Sequence, residues 1–152
     1  MASGYNKTLC GDHGDLYCNK SSTLGQGARD LCSSSKGTVA QIAGYRRIST
    51  NETVIASELV ATGPLSIAFD ANFAFQFYKS GVLSPHGLGA CQKGAPLNHA
   101  VLMVGYGVDG DQPYWIVKNS WGPKWGESGY FRFIRGTGAC GINEEVTTGI
   151  LA

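Results

Sequence analysis

Two apolar segments separated by a tight turn constrain the fold of this 152-residue chain more than any other feature. Residues 99–107 read His-Ala-Val-Leu-Met-Val-Gly-Tyr-Gly, and residues 113–120 read Pro-Tyr-Trp-Ile-Val-Lys-Asn-Ser. Asp109-Gly110 between them is a strong hairpin-turn signal. The pattern therefore predicts an antiparallel hairpin, and residues 129–135 alternate well enough to supply a third strand.

The segments before the hairpin predict a mixture of helix and strand. We expect a strand over 39–48, a helix over 52–61 with Thr50 or Asn51 as N-cap, a strand over 65–69, a short aromatic helix or turn over 71–78, and a loop over 80–97. The apolar face of the helix would consist of Val54, Ile55, Leu59 and Val60. Together these elements predict an α+β domain, an antiparallel sheet or small barrel with one or two helices packed on it.

The composition fits this fold class and excludes several others. The chain has 22 glycines and only 15% charged residues, against roughly 25% in an average domain. A charged disordered tail, a coiled coil and a helical bundle rich in Glu and Lys are therefore excluded. A net charge of +1 gives no electrostatic basis for binding nucleic acid or an anionic membrane. No segment approaches the roughly 18 apolar residues of a membrane-spanning helix, so we expect no membrane partner.

The cysteines and glycosylation motifs indicate a secretory protein. The five cysteines are an odd number, so at least one is free or pairs outside the chain. Asn6, Asn19 and Asn51 each begin an Asn-x-Ser/Thr motif, which requires an exposed loop in a secreted context. The first residues lack the pattern of a signal peptide, so we expect a mature form or a fragment. No Cys-x-x-Cys spacing or histidine cluster suggests a metal site, and we expect no cofactor.

His99 and Asn119 are the candidate catalytic pair. In an antiparallel hairpin the start of the first strand lies beside the end of the second, so these side chains can meet. An imidazole held by an amide oxygen has the fixed tautomer and orientation that a general base needs, and Trp121 can cover that bond. On spacing alone, an ordinary strand-end histidine and a turn asparagine are the more common interpretation.

Several motifs resemble those of the papain-like cysteine peptidases. Residues 98–107 are similar to the family's histidine motif, and residues 114–122 to its asparagine motif. The Trp-Gly-Glu-Ser-Gly-Tyr segment at 125–130 and Cys-Gly-Ile-Asn at 140–143 follow in the family's order and spacing. Residues 63–68 resemble the family strand that precedes the histidine. The cathepsin branch is the most similar, and the resemblance implies the fold of the family's right-hand domain.

The resemblance implies a role for each matching position. His99 would draw the proton from a cysteine nucleophile and later protonate the leaving amine. Asn119 would orient the imidazole, and Trp121 would shield the contact between them. Trp125 would line the leaving-group side of the cleft. Asn98, which stands where some members have Asp, would also lie on the substrate side.

The resemblance also implies a pocket for the substrate side chain second from the scissile bond. Ala68, Leu97 and Ala100 match its apolar walls, and Glu145 matches the residue at its base. A carboxylate there can pair with an arginine guanidinium yet turn to water when the guest is Phe or Leu. The alternative is that Glu145 is a solvated surface acid beside Glu144.

Disulfide pairing is likewise implied by the resemblance. Cys91 and Cys140 match the disulfide of the right-hand domain. Cys32 matches a cysteine whose partner lies in the left-hand domain, so Cys32 is expected to be a free thiol in this chain or to link two copies of it. Cys10 and Cys18 have no counterpart, and we expect them to pair with each other.

One part of the family pattern is missing from the sequence. The family's nucleophile stands in Cys-Gly-Ser-Cys-Trp after an oxyanion-hole Gln, about 130 or more residues before the histidine. Only 98 residues precede His99, and Cys10-Gly11 has neither Gln nor Trp near it. We therefore expect an irregular Cys- and Gly-rich lead-in over 1–31 and the C-terminal peptidase domain over 32–152.

The implied function is that of a cysteine-type endopeptidase, which cleaves peptides or proteins through a thioester in a lysosomal or secreted setting. This chain alone would be inactive, because the left-hand domain with the nucleophile would be missing. One alternative is a non-catalytic stand-alone domain or pseudoenzyme that binds peptides or a partner chain. Another is a disulfide-stabilised, lectin-like secreted domain.

Overall fold

The computed structural model describes residues 42–86, 91 and 94–151 of the chain. In chain order, the elements in these residues are β1 (Ile42–Arg47), α1 (Glu52–Thr62), β2 (Leu65–Phe69), a 3₁₀ helix (Phe73–Phe77), β3 (Val82–Leu83), β4 (His99–Asp109), β5 (Gln112–Lys118), β6 (Tyr130–Ile134), a 3₁₀ turn (Ala139–Gly141) and β7 (Glu145–Leu151). The predictions for residues 1–41, including the lead-in, lie outside the described residues.

The strands form one sheet in the order β1-β7-β2-β4-β5-β6-β3. Neighbouring strands are antiparallel except for β3 and β6, which are parallel. In the described part of the chain, β1 and β3 are the two edges of the sheet, so the sheet is mixed and unclosed. The predicted α+β class with a mainly antiparallel sheet is confirmed. The sheet does not close into the barrel that the sequence also allowed.

The predicted hairpin forms the middle of this sheet. β4 and β5 pair from Asp109 opposite Gln112 down to Leu102 opposite Lys118. Gly110 in the turn has φ 59°, a left-handed conformation that glycine adopts without a steric penalty. The pairing brings the first residue of β4 and the residues just after β5 to the same end of the sheet.

Helix α1 begins and ends at residues that the sequence marks as caps. The Asn51 side-chain oxygen accepts a hydrogen bond from the Thr53 N–H at 2.9 Å, so Asn51 rather than Thr50 is the N-cap. Gly63, at φ 86°, donates its N–H to the Leu59 carbonyl at 3.1 Å and ends the helix.

The buried face of α1 differs from the predicted one. Ile55, Ala56 and Leu59 are buried, whereas Val54 is 40% and Val60 is 72% exposed. Residues four apart share a helix face, so Ile55 and Leu59 define the stripe that meets the sheet. The prediction that Val54 and Val60 belong to this face was wrong, because the apolar residues of the sequence fit a broader stripe than the one that packs on the sheet.

The core lies between α1 and one face of the sheet. Alternate strand residues point into it, and they include Leu65, Ile67, Phe69, Met103, Trp115, Val117, Phe131, Phe133 and Val146. The opposite face carries Ser66, Ala68, Ala100 and Leu102, which are half-buried or exposed. We call this second face the open face.

Two described strands were not predicted from the sequence. β7 lies between β1 and β2 and pairs with both, and the short β3 lies inside the predicted loop over 80–97. The signal for β7 was weak because Glu144, Glu145 and two threonines interrupt its apolar residues. The alternation of buried Val146 and Thr148 is the pattern that could have revealed it.

Candidate active site

His99 and Asn119 meet at the end of the central hairpin. His99 opens β4 opposite Phe69 of β2, and Asn119 directly follows β5. His99 Nε2 lies 2.9 Å from Asn119 Oδ1. The hairpin therefore brings together the two side chains that the sequence analysis paired.

The Asn119 amide is fixed in a way that determines the histidine tautomer. Asn119 Oδ1 also accepts the backbone N–H of Ser120 at 2.8 Å. The backbone N–H of Asn119 itself donates to the Gly129 carbonyl at 2.9 Å. Because Oδ1 can only accept, His99 Nε2 must carry the proton and donate it. His99 Nδ1 is then the basic nitrogen, able to take a proton from a neighbouring acid such as a thiol.

Aromatic rings surround the contact between His99 and Asn119. The Trp121 ring lies 5.0 Å from the His99 ring and tilts by 34°. Phe69 and Phe75 approach the imidazole edge-on at 5.7 Å and 6.3 Å, and Asn119 is only 7% exposed. Exclusion of water strengthens the hydrogen bond between His99 and Asn119. The two phenylalanines were not predicted as site residues.

Trp125 packs against two of the aromatic rings that surround the contact between His99 and Asn119. Its ring lies 5.0 Å from the rings of both Trp121 and Phe75. The Trp125 indole N–H donates to the Gln76 carbonyl at 2.9 Å, which anchors the ring to the 3₁₀ helix. Trp125 is half-buried.

An ion-pair network holds the segment that carries Trp125. The Glu127 carboxylate accepts hydrogen bonds from the Arg132 guanidinium at 2.9–3.2 Å and from the Gly81 N–H at 2.9 Å. Burial acts to raise the pKa of Glu127, but these hydrogen bonds outweigh it and hold the pKa below its ordinary value. The buried Tyr78 hydroxyl donates to the Gly81 carbonyl at 2.7 Å, and burial raises the pKa of Tyr78 to about 12. No local sequence pattern indicated this network.

Asn98 fixes the entry to β4. Its side-chain oxygen accepts the Ala71 N–H and its amide nitrogen donates to Asp70 Oδ1, both at 2.7 Å. Its backbone N–H donates to the Phe69 carbonyl at 3.1 Å. The described contacts of Asn98 thus hold the position of His99, the next residue.

Three of the proposed pocket residues lie in one row across the sheet. Ala68 of β2 is directly opposite Ala100 of β4 on one side and Glu145 of β7 on the other. Opposite residues of antiparallel strands point to the same face, so the three side chains share the open face. Leu97 lies in the loop before β4 and packs closely on Gly141. A Cβ atom added at Gly141 would lie only 2.6 Å from a methyl carbon of Leu97.

The Glu145 carboxylate has a partner that the sequence did not indicate. Arg47 of β1 donates a hydrogen bond and forms an ion pair with Glu145. The two side chains are 60% and 48% exposed, so water screens their attraction and the pair is weak. Glu145 is therefore a surface acid that is held by a neighbouring cation at the end of the Ala68–Ala100 row.

A disulfide joins the loop before β4 to the turn before β7. Cys91 and Cys140 are bonded, with their Cα atoms 5.3 Å apart, and this is the pair that the resemblance implies. The Cys140 carbonyl accepts the Asp70 N–H at 2.9 Å, which ties the turn to the end of β2. Cys10, Cys18 and Cys32 lie outside the described residues.

A further carboxylate, Glu52 in the first turn of α1, links the helix to the sheet. Its Oε2 accepts hydrogen bonds from Trp115 Nε1 and the Gly136 N–H, both at 2.7 Å. Its Oε1 accepts the Gly138 N–H at 2.6 Å. Nothing in the sequence indicated this role, because Glu52 looks like an ordinary acid near a helix N-terminus.

Metal-binding clusters and membrane-spanning helices are both absent from the described residues. These residues contain no group of three or more His, Cys, Asp or Glu side chains arranged to hold a metal ion. None of their helices is long and apolar enough to cross a bilayer.

Comparison with known proteins gives consistent matches. The model of the papain family cysteine protease matches residues 6–150. Cathepsin F of Drosophila melanogaster is 48% identical over 119 residues, which cover 74% of this chain and 19% of that protein. Cysteine proteinase B of Leishmania mexicana is 42% identical over 148 residues, which cover 95% of this chain and 32% of that protein. The chain thus spans a third or less of these two relatives.

Solved structures show the same likeness. Procathepsin L 3 from the larval midgut of Tenebrio molitor superposes with a TM-score of 0.70 at 40% identity, covering 77% of this chain and 38% of that chain. The bromelain protease of Ananas comosus, in complex with the E64 inhibitor, superposes with a TM-score of 0.67 at 41% identity, covering 80% and 56%.

Proposed function

Because the chain belongs to the papain family of cysteine proteases, we propose that it is the histidine-bearing half of a cysteine-type endopeptidase. The observation that carries the proposal is the 2.9 Å contact between His99 Nε2 and Asn119 Oδ1 inside an aromatic enclosure. It leaves Nδ1 of an oriented imidazole as a base. The proposed reaction is hydrolysis of a peptide bond through a thioester.

His99 would move a proton twice in this reaction. Nδ1 first accepts the proton of the attacking thiol, and the sulfur forms a bond to the peptide carbonyl carbon. The imidazolium then returns the proton to the leaving amine as the C–N bond breaks. Water hydrolyses the thioester in the second half of the cycle, with His99 again as base. Asn119 acts as a positioning residue throughout, because it holds Nε2–H and not the substrate.

The nucleophile would come from a left-hand domain outside these 152 residues. The sequence contains no Cys-Gly-Ser-Cys-Trp motif, and Cys91 and Cys140 are disulfide-bonded and so offer no thiolate. We therefore expect the chain alone to be inactive. A thiol within hydrogen-bond reach of His99 Nδ1 would complete the site.

The substrate would be a peptide or protein bound across the end of the sheet, where His99 and the row of Ala68, Ala100 and Glu145 are adjacent. Ala68 and Ala100 would contact the side chain second from the scissile bond, with Leu97 beside them and Glu145 at the far end. An apolar guest would leave the ion pair of Arg47 and Glu145 intact. An arginine guest would have to displace Arg47, which costs little because the pair is exposed. Trp125 would contact the leaving-group side.

A lysosomal or secreted location fits the cathepsin relatives, the Cys91–Cys140 disulfide and the three Asn-x-Ser/Thr motifs. The hydrogen bonds that lower the pKa of Glu127 would keep its network with Arg132 intact in moderately acidic surroundings. Cell fractionation with an antibody to the chain tests this location. Recovery in the cytosol would contradict it.

A chimera tests the proposed activity. The N-terminal part of Leishmania mexicana cysteine proteinase B, fused ahead of this chain, supplies the missing domain, and cleavage of a fluorogenic peptide is measured. The chimera should cleave the peptide and be labelled by a thiol-directed epoxide. His99→Ala should reduce kcat at least about 10³-fold, since catalytic residues act as a unit. His86→Ala, at an exposed loop histidine, is the matched control and should have no effect.

Two outcomes would contradict the proposal. Full activity of the His99→Ala chimera would show that another group is the base. A chimera that folds but is inactive, together with peptide binding by the isolated chain, would favour the stand-alone binding domain.

The positioning role of Asn119 has its own readout. Long-range ¹H–¹⁵N spectra of the chain should show His99 as the Nε2–H tautomer, and Asn119→Ala should give a mixture of tautomers. Asn143→Ala is the control, because Asn143 donates to the Thr50 carbonyl instead. An unchanged tautomer in Asn119→Ala would refute the role.

A further inference from the structure

We propose that Asn51 is an N-glycosylation site whose side chain has two simultaneous roles, with its oxygen capping α1 and its nitrogen carrying the glycan. The proposal rests on the secretory location proposed above. Asn51-Glu52-Thr53 is the one Asn-x-Ser/Thr motif within the part of the chain that the structure describes. Its place at a helix N-terminus is what makes the two roles compatible.

The hydrogen bonds of Asn51 leave its amide nitrogen available. Oδ1 accepts the Thr53 N–H at 2.9 Å, and the Asn51 backbone N–H donates to Ser49 Oγ at 3.2 Å. Neither bond uses Nδ2, which makes no hydrogen bond to any described residue. Asn51 is exposed, and so are Ser49, Thr50 and Thr53. A glycan on Nδ2 can therefore extend into solvent without breaking the cap.

The neighbouring acidic residue does not compete for this space. The Glu52 carboxylate is drawn inward by hydrogen bonds to Trp115 and to the Gly136 and Gly138 N–H groups. The Thr50 carbonyl is held by Asn143 Nδ2 at 2.7 Å, which fixes the backbone just before the cap. The local backbone is thus anchored while the Asn51 side chain stays at the surface.

The covalent step is a group transfer without redox change. The donor is an oligosaccharide on a polyprenyl diphosphate, and the host's transferase catalyses the reaction. The bond between the anomeric carbon of the first sugar and a diphosphate oxygen breaks, and the same carbon bonds to Asn51 Nδ2. The amide loses one proton to a base of the transferase, and the polyprenyl diphosphate leaves. Nδ2 keeps one hydrogen, and Oδ1 keeps its capping role.

Secretory expression of the full 152-residue chain tests the site. The chain is fused behind a cleavable signal peptide in a eukaryotic host, with Asn6→Gln and Asn19→Gln, so that Asn51 is the sole acceptor. Peptide mapping before and after treatment with peptide-N-glycosidase should find the glycan on Asn51. Thr53→Ala, which keeps the cap but destroys the motif, should abolish it. Unmodified Asn51 in the secreted chain would overturn the proposal.

Stability measurements test the second role. The glycosylated chain and the enzymatically deglycosylated chain, in which Asn51 has become Asp, should share one urea midpoint, because each retains a capping oxygen. Asn51→Ala should lower the midpoint. A glycosylated form with the midpoint of Asn51→Ala would show that the glycan breaks the cap and would overturn the proposal.

The outcome of the glycosylation and stability tests does not depend on the proposed catalytic function. The signal peptide directs the chain into the secretory pathway whatever its natural location, and the proposed activity is judged by the chimera. If the chain is not secreted, translation in the presence of microsomes reports the modification before folding. Absence of the glycan-dependent gel shift there would equally refute the site.

Discussion

Replacing Glu52 should destabilise the domain strongly, although this residue lies at the start of a helix. Its carboxylate accepts hydrogen bonds from Trp115 Nε1, Gly136 N–H and Gly138 N–H at 2.6–2.7 Å. The three donors belong to β5 and to the loop after β6, so one side chain joins α1 to two separate parts of the fold. Trp115 is fully buried, and its indole N–H would be left without this acceptor.

The magnitude follows from the number and type of these bonds. A hydrogen bond to a charged group contributes about 1.5–3 kcal/mol, but water can replace the carboxylate at the exposed Gly136. We therefore expect Glu52→Ala to lower the free energy of unfolding by about 3–4 kcal/mol. In Glu52→Gln the amide oxygen can keep Trp115 and Gly136, whereas the NH₂ group faces the Gly138 N–H, so the loss should be about 1.5–3 kcal/mol.

Urea titration measured by tryptophan fluorescence and by far-UV circular dichroism is the assay. Glu58→Ala is the matched control, because Glu58 lies on the same helix and its carboxylate pairs with the exposed Arg46. Trp115→Phe removes the indole donor, and the Glu52→Ala/Trp115→Phe double mutant should be less destabilised than the sum of the single mutants. Equal effects of Glu52→Ala and Glu58→Ala, or strict additivity in the cycle, would refute the reasoning.

Three further predictions concern the disulfide, the ion pair of Glu127 and the candidate pocket. Removing the disulfide by Cys140→Ser should lower the free energy of unfolding by about 4 kcal/mol, because the bridge closes a separation of 49 residues; a change below about 1 kcal/mol would contradict the loop-closure argument. Since the pKa of Glu127 is held below its ordinary value, its pairing with Arg132 stabilises the fold above an ordinary pKa of about 4.3 and is lost as the pH falls through the lower folded pKa. Glu127→Gln should therefore flatten the acid limb of the stability curve, and an unchanged slope would count against the pair. In the chimera, Glu145→Ala should remove most cleavage of substrates with Arg second from the scissile bond and spare those with Phe, whereas Arg47→Ala should favour Arg; equal treatment of both substrates by Glu145→Ala would place Glu145 outside the pocket.

Local signals predicted the elements that depend on a few adjacent residues. The hairpin followed from two apolar runs around Asp109-Gly110, and Asn51 and Gly63 marked the ends of α1. The prediction that His99 and Asn119 can meet followed from the hairpin geometry alone. Their separation of 20 residues is short, and one antiparallel pairing fixes it.

The position of β7 could not be read in the same way. A strand that contains a glutamate, two threonines and a glycine and follows another glutamate has little apolar signal of its own. It forms because β1 and β2 supply backbone partners on both sides, and Val146 and Thr148 then reach the buried face. The β1 partners lie 100 or more positions earlier in the chain and the β2 partners about 80 positions earlier, beyond any local window.

The sequence by itself determined the family, the hairpin that bears the histidine, and the pairing of His99 with Asn119. Only the tertiary structure decided what surrounds them. Arg47 and Glu145 lie 98 positions apart, and Glu52 lies 84 and 86 positions from the glycines that it holds. Local periodicity carries no information about such pairs, because their contact depends on which strands become neighbours and how the helix packs over them.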